Sequence, residues 1–387
     1  MKHPYIAKRF WNEPPKFVNV DPKELASYDD LIRLSIGDTD ISTDGRIIEK
    51  AFADANAGHT KYTRPAGDME LVNAIIDFYQ RDYGMTVQPD EVFVTASSLL
   101  GMTLALTAIL DPGDEVLLIA PYFSIYKNQV ELAGGVAVEV GTREEDGFLP
   151  TREAILAAIT NRTRAIIVNN PCNPTGAAYD LAAYETIAAI SKEFDLLVLA
   201  DEIYTQYLYQ TKLVPMRSLP GMAQRTITLN SLSKDYLMTG WRVGYIVADP
   251  AINRVMCTVN EGITYCAPAI SQRAAIQAIA LRQDIRAQYV SVYKERVFYA
   301  EKRVNAISGM SAITPGGTFY LFPNIKGTGL TSAAFCDKLL KEAHVLALPG
   351  SSFGAAGEGY IRIACTVPQP EMAEAFDRME RVFGKRA

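Results

Sequence analysis

The sequence predicts an α/β protein: a mostly parallel seven-stranded sheet sandwiched by helices, joined to a smaller α+β domain. Three observations carry this. The chain has 387 residues, more than one hydrophobic core usually holds. Between about residues 90 and 250, short β-rich runs alternate with helical stretches, the pattern of parallel strands linked by covering helices. Beyond about residue 280 that alternation stops and a long polar helix pattern begins.

The strand candidates are Val92–Thr95, Val116–Ile119, Ala137–Val140, Ala165–Val168, Leu196–Leu199, Thr226–Leu229 and Val243–Val247. Several are uniformly apolar, as a strand buried on both faces requires. Arg152–Ala158 and Leu181–Phe194 have helical composition. Further on come a helix pattern over Leu281–Val304, the run Gly316–Phe322, a helix over Ser332–Glu342 and a strand over Tyr360–Ala364. These predict a large domain over residues 46–280 and a small domain built from 1–45 and 281–387.

Hydrophobic residues make up 49% of the chain and charged residues 21%, an ordinary globular mix able to bury a sizeable core. A net charge of −6 with no Lys/Arg-rich stretch argues against nucleic acid as a partner. Five scattered cysteines without CxxC spacing read as free thiols in a reducing compartment. No apolar run is long enough to span a membrane and Met1–Lys8 lacks a signal-peptide core, so a cytoplasmic location is expected. The three histidines, His3, His59 and His344, have no metal-ligand partner at helical spacing; no metal site or Ser-His-Asp triad is expected.

In sheets of this kind ligands sit outside the carboxyl ends of the strands. Ser97 and Ser98 follow the first strand candidate, Asn173 the fourth, Asp201 the fifth, and Ser231 and Lys234 the sixth. An amine, an isolated acid, a phenol, hydroxyls and a guanidinium at one edge suit an aldehyde that carries a pyridinium ring and a phosphate, namely pyridoxal 5′-phosphate (PLP). Lys234 supplies the amine for a Schiff base, although a lone lysine after a strand is ordinarily a surface residue. Asp201 closes the apolar run Leu196–Ala200, where a carboxylate needs a cation; a protonated pyridine nitrogen is one, a helix cap the plainer use. Tyr204 and Asn173 can each bond the ring's phenolic oxygen or serve only the loop.

Phosphate holding needs donors and positive charge. Ser97 and Ser98 open a helix whose N-terminus suits an anion, although Ser97 is equally an ordinary N-cap. Ser231 adds a hydroxyl and Arg242 a two-pronged fork. There is no GxGxxG and no GxxxxGK[ST], so a dinucleotide or ATP site has no support. Arg362, in the apolar run Tyr360–Ala364, wants a carboxylate, from an amino-acid substrate or an internal salt bridge. Gly37 permits close backbone approach to the same carboxylate. Tyr122, Tyr126, Tyr265 and Phe319 are candidates for an aromatic side-chain pocket or for core packing.

Over nearly its whole length the chain resembles the class I/II aminotransferases of PLP fold type I. The segments that carry the resemblance are Leu34-Ser-Ile-Gly37, Lys61–Gly67, Leu110–Val116, Ala120-Pro-Tyr-Phe123, Asn173-Pro-Thr-Gly176, Asp201-Glu-Ile-Tyr204, Ser231-Leu-Ser-Lys234 with Arg242, and Pro349–Gly354 leading to Arg362. The resemblance implies that Lys234 forms the Schiff base and shuttles the substrate proton. It implies that Asp201 pairs with the pyridine nitrogen, that Tyr204 and Asn173 contact the phenolic oxygen, and that Phe123 stacks on the ring. Ser97, Ser98, the Leu99 backbone, Ser231 and Arg242 would hold the phosphate, and Arg362 with Asn173 the substrate carboxylate. Tyr62 would reach the phosphate of a second subunit, which implies a homodimer with shared sites.

The expected reaction is ping-pong transfer of an amino group between an L-amino acid and a 2-oxo acid. The competing reading is a PLP-dependent C–S β-lyase of the cystathionine type, or other PLP chemistry on an amino acid. A non-enzymatic PLP-binding regulator is disfavoured by a short N-terminal segment with no helix-turn-helix pattern. Some bacterial aspartate-specific members of the family carry a lysine where this chain has Leu99, which demotes aspartate as the donor.

Overall fold

The computed structural model describes residues 3–11 and 21–385. Residues 1–2, 12–20 and 386–387, part of the expected small domain, lie outside the described residues.

Twelve strands occur among the described residues: β1 (Ile32–Arg33), β2 (Val92–Thr95), β3 (Glu115–Ala120), β4 (Val136–Gly141), β5 (Thr163–Asn169), β6 (Leu197–Asp201), β7 (Thr226–Ser231), β8 (Gly244–Val247), β9 (Tyr320–Leu321), β10 (Val345–Leu346), β11 (Leu348–Pro349) and β12 (Ile361–Ala364). All seven strands expected between residues 92 and 247 are present in one seven-stranded sheet, ordered β2-β8-β7-β6-β5-β3-β4. The pairs β3–β4, β3–β5, β5–β6 and β6–β7 are parallel. Strand β8 runs antiparallel to both β7 and β2. The two reversals cancel, so β2 points the same way as β7, and its carboxyl end lies on the same edge.

The apolar runs are explained by burial on both faces. In β3, Val116 and Leu118 pack into one layer with Leu104 and Val130, while Leu117 and Ile119 pack into the other with Ile155 and Ile187. β5 and β6 divide in the same way: Ile167 and Leu199 face the first layer, Ile166 and Val198 the second. Each such fully buried side chain contributes about 1.5–3 kcal/mol. The helix Ser98–Ile109 covers the first face and the helix Leu181–Glu193 the second. This second helix starts at Asp180, whose side chain accepts from the Ala183 amide.

The long helix occupies Arg282–Asn305, one residue beyond its expected position. The later strands form a three-stranded antiparallel sheet, β11-β12-β9, and β10 pairs in parallel with β1. Residues near 32 and near 345 thus share one sheet, which brings the Leu34–Gly37 segment beside Arg362 on β12. The run Gly316–Phe322 forms only the two-residue strand β9, preceded by Thr318 at φ 61°.

Candidate active site

Strands β2, β3, β5, β6 and β7 deliver their carboxyl ends to a cavity of about 480 Å³. Lys234, Asp201, Tyr204, Asn173, Ser97, Ser98, Leu99, Phe123, Ser231, Arg242, Gly37 and Arg362 all line it. Residues up to 326 positions apart in sequence therefore meet in one space, from Ile36 to Arg362.

One end of the cavity is built for an anion. Ser97, at φ 91°, caps the helix Ser98–Ile109, and its hydroxyl accepts from the Leu100 amide at 3.5 Å. Ser231 caps the short helix Leu232–Asp235, accepting from the Ser233 amide at 3.1 Å. Arg242, at φ 53°, donates to the Thr239 carbonyl at 2.8 Å and remains exposed toward the cavity. Gly244 permits this crowding: a Cβ there would sit 2.9 Å from the Ser98 nitrogen and 2.7 Å from the Asn230 oxygen. Helix N-terminus, hydroxyls and guanidinium together suit a phosphate.

Asp201 lies deeper. Its Oδ2 accepts from the Tyr126 hydroxyl at 2.5 Å, while its Oδ1 is buried without a hydrogen-bond partner. Burial pushes this carboxyl up to about 6, against the opposing pull of the Tyr126 hydroxyl and the Ile203 amide. A buried carboxylate oxygen left without a donor beside a cavity calls for a cationic N–H from a ligand.

Asn169 organises the neighbouring strand end. Its side chain donates to the Asp201 carbonyl at 3.1 Å and accepts from the Asn173 amide at 2.8 Å. Asn173 Oδ1 in turn accepts from Arg362 at 3.0 Å, and the other terminal nitrogen of Arg362 donates to the Ser35 carbonyl at 2.5 Å. Both acceptors are neutral. The guanidinium lies 4.4 Å from the Tyr320 ring centroid and 5.0 Å from that of Phe353. Burial pulls its affinity for protons below the ordinary value, so an incoming carboxylate is strongly favoured there.

The Tyr204 hydroxyl lies 3.4 Å from that of Tyr320. Burial, reinforced by Tyr320, raises the Tyr204 phenol well above its ordinary value, which keeps it a neutral donor. Lys234 Nζ donates to the Gly37 carbonyl and lies 5.6 Å from the Phe319 ring centroid. Glycine is required at 37, because a Cβ there would fall 1.7 Å from the Tyr320 hydroxyl oxygen.

One of the two uses left open for the aromatic residues is ruled out. The four aromatic candidates do not form one side-chain pocket. Only Tyr126 lines the cavity, and its hydroxyl is committed to Asp201. Tyr122 donates to Glu139, Phe319 is fully buried in the core, and Tyr265 packs edge-on against Tyr62, with ring centroids 5.2 Å apart. Tyr62, 85% exposed, does not line the cavity of its own chain. Asn169, Tyr320 and the Tyr126–Asp201 bond escaped sequence reading. Asn169 closes an apolar strand as Asp201 does, and that shared position was the available signal.

The amine, the orphaned carboxylate oxygen and the anion cup fit the aldehyde, ring nitrogen and phosphate of PLP, and the desolvated Arg362 fits an amino-acid carboxylate. The family model for aminotransferase class I and II matches residues 29–379. The chain is 35% identical to an aspartate aminotransferase of Pyrococcus horikoshii over 93% of each sequence. It is 37% identical to aromatic-amino-acid aminotransferase 2 of Thermococcus litoralis, covering 95% of this chain and 97% of the relative. The crystal structure of an aromatic aminotransferase from Pyrococcus horikoshii superposes with a TM-score of 0.88 at 38% identity, covering 93% of this chain and 97% of that one. With sequence, fold and strand-end chemistry in agreement over nearly the full length, this chain belongs to the class I and II aminotransferases and is a transaminase.

Proposed function

We propose that the enzyme works with PLP in the 480 Å³ cavity and moves amino groups from amino acids with apolar or aromatic side chains to 2-oxo acids. The observation that carries the cofactor reading is the buried Asp201 Oδ1, which lacks a donor in the same cavity that holds Lys234 and the helix N-terminus. When bound, PLP supplies an aldehyde that condenses with amines and a ring that accepts the electron pair released at the substrate Cα.

The chain's own residues do the rest. Asp201, oriented by Tyr126, would hold a proton at the ring nitrogen. Tyr204 and Asn173 donate toward the phenolic oxygen. Ser97, Ser98, the Leu99 backbone, Ser231 and Arg242, which line the cavity, would anchor the phosphate, and Phe123 would cover the ring. Lys234 would supply the amine that holds the aldehyde and the base that moves the proton at the substrate Cα. Arg362 and Asn173 clamp the α-carboxylate beside Gly37, which fixes the orientation of the Cα–H bond. Ile36 and Leu99, both exposed and apolar, line the same cavity with Ile125, and this lining supports the side-chain preference.

The active unit in this reading is a homodimer in which Tyr62 reaches its partner's phosphate. The exposed pair of Tyr62 and Tyr265, whose rings pack edge-on, supports it. The division into residues 46–280 and 1–45 with 281–387 rests on the β1–β10 pairing, which ties the two ends of the chain together. A cytoplasmic location rests on the five free, dispersed cysteines. A single-turnover test checks the reaction. The PLP-loaded enzyme mixed with an apolar amino acid and no acceptor should release one oxo acid per site and stop until a 2-oxo acid is added. Continuous release of pyruvate and ammonia would establish the lyase instead.

A further inference from the structure

Asp235 follows Lys234 on the helix Leu232–Asp235 but does not line the cavity. Its carboxylate accepts from the Thr205 hydroxyl and, at 3.2 Å, from the Gln206 amide. Its carbonyl accepts from the Tyr289 hydroxyl. The Lys234 carbonyl accepts from the Tyr207 hydroxyl at 3.1 Å. The three residues after Tyr204 thus all bond to the dipeptide Lys234–Asp235. The Tyr207 amide closes the turn by donating to the Tyr204 carbonyl at 2.9 Å.

A carboxyl group is an expensive choice for this place. Asp235 is 3% exposed, and burial pushes it up to about 7 against the Thr205 and Gln206 bonds and the nearby Arg282. Arg282 is itself paired with Asp82, so it does not neutralise Asp235 alone. Tyr83, Tyr207, Tyr236 and Tyr289 also face Asp235. Apolar residues of similar volume often serve stability better than a buried charged group. What the carboxylate adds is direction: two acceptor lone pairs that fix one turn against one helix.

We propose that Asp235 is a positioning residue for transamination: its carboxylate clamps the Thr205–Tyr207 turn to the Lys234 helix and thereby fixes the Tyr204 hydroxyl relative to the Lys234 amine. The inference rests on the reading that Lys234 and Tyr204 serve one cofactor. A displacement of about 1 Å at such a pair lowers rates by about a hundredfold.

The test compares T205V, D235N and D235A with wild type, and with F335A as a control that opens a cavity in the core away from the site. In the cofactor-free chain, amide exchange at Gln206 and Tyr207 should quicken about tenfold in D235A and T205V but not in F335A. In the PLP-loaded enzymes, the pH midpoint of the Schiff-base absorbance should move by about half a unit or more in D235A and T205V, with partial recovery in D235N. The single-turnover rate should fall about 10–100-fold in D235A, and T205V/D235A should be no slower than D235A, since both remove one clamp. T205V is nearly isosteric, so it reports even where D235A fails to fold. Wild-type amide exchange and an unmoved midpoint in T205V and D235N, or rate losses that multiply in the double variant, would overturn the proposal. A wild-type chain that shows no Schiff-base absorbance would sink the cofactor reading instead; amide protection equal in wild type and T205V would then overturn the clamp.

Discussion

The Tyr126 hydroxyl donates to Asp201 Oδ2 at 2.5 Å and leaves Oδ1 buried without a donor. The acid is therefore held in one orientation with one face unsatisfied, toward a cavity that also contains Lys234. This arrangement is destabilising until a cation arrives, and it makes the stability of the cofactor-free chain depend on pH.

The sign follows from burial. The Asp201 carboxyl is raised from 3.8 to about 6, so the folded chain binds its proton more tightly than the unfolded chain does. Stability from this group is fully present below the unfolded value and is lost as pH rises through about 6, by at most about 3 kcal/mol. Glu202 and Asp235, each raised to about 7 by burial, extend the loss in the same direction. The cofactor-free D201N variant should therefore unfold at a higher temperature than wild type at pH 8 and match it near pH 4. Parallel pH profiles for the two proteins would show that Asp201 is not the strained group.

Arg362 is held by Asn173 and Ser35 before any substrate arrives. R362K keeps the charge and loses the fork, so kcat/KM for the amino donor should fall by about 2–5 kcal/mol, at least thirtyfold. The Schiff-base absorbance should persist, since the cofactor contacts are untouched. Stopped-flow titration with the donor separates these effects; a normal KM in R362K would remove Arg362 from carboxylate binding.

Leu99 is 40% exposed on the cavity wall. A lysine there would offer a cation to a second carboxylate. L99K should raise the single-turnover rate with aspartate relative to phenylalanine by about tenfold, the worth of one partly exposed charged hydrogen bond. An unchanged ratio would mean that side-chain selection lies elsewhere.

Much of this site was legible because the chemistry sits at strand ends. Asp201 and Lys234 stand where apolar runs stop, and a charged group at that point is conspicuous in the sequence. All seven large-sheet strands could be read because β3, β5 and β6 bury alternate residues in opposite layers, which leaves no polar side to blur the run. The aromatic pocket was not legible. Tyr122, Tyr126 and Tyr265 carry identical side chains and Phe319 a ring of similar size, and only tertiary pairing assigns them to Glu139, Asp201, Tyr62 and the core. Tyr320 was hidden because its role depends on Gly37 and Arg362 converging from opposite ends of the chain.

The central claim is that Lys234 is the amine of the site. Adding PLP to the wild-type chain and to K234A, and recording absorbance across pH, tests it most directly. Wild type should develop the Schiff-base band while K234A binds PLP and shows only the free aldehyde. The same band in K234A would place the reactive lysine elsewhere and contradict the account.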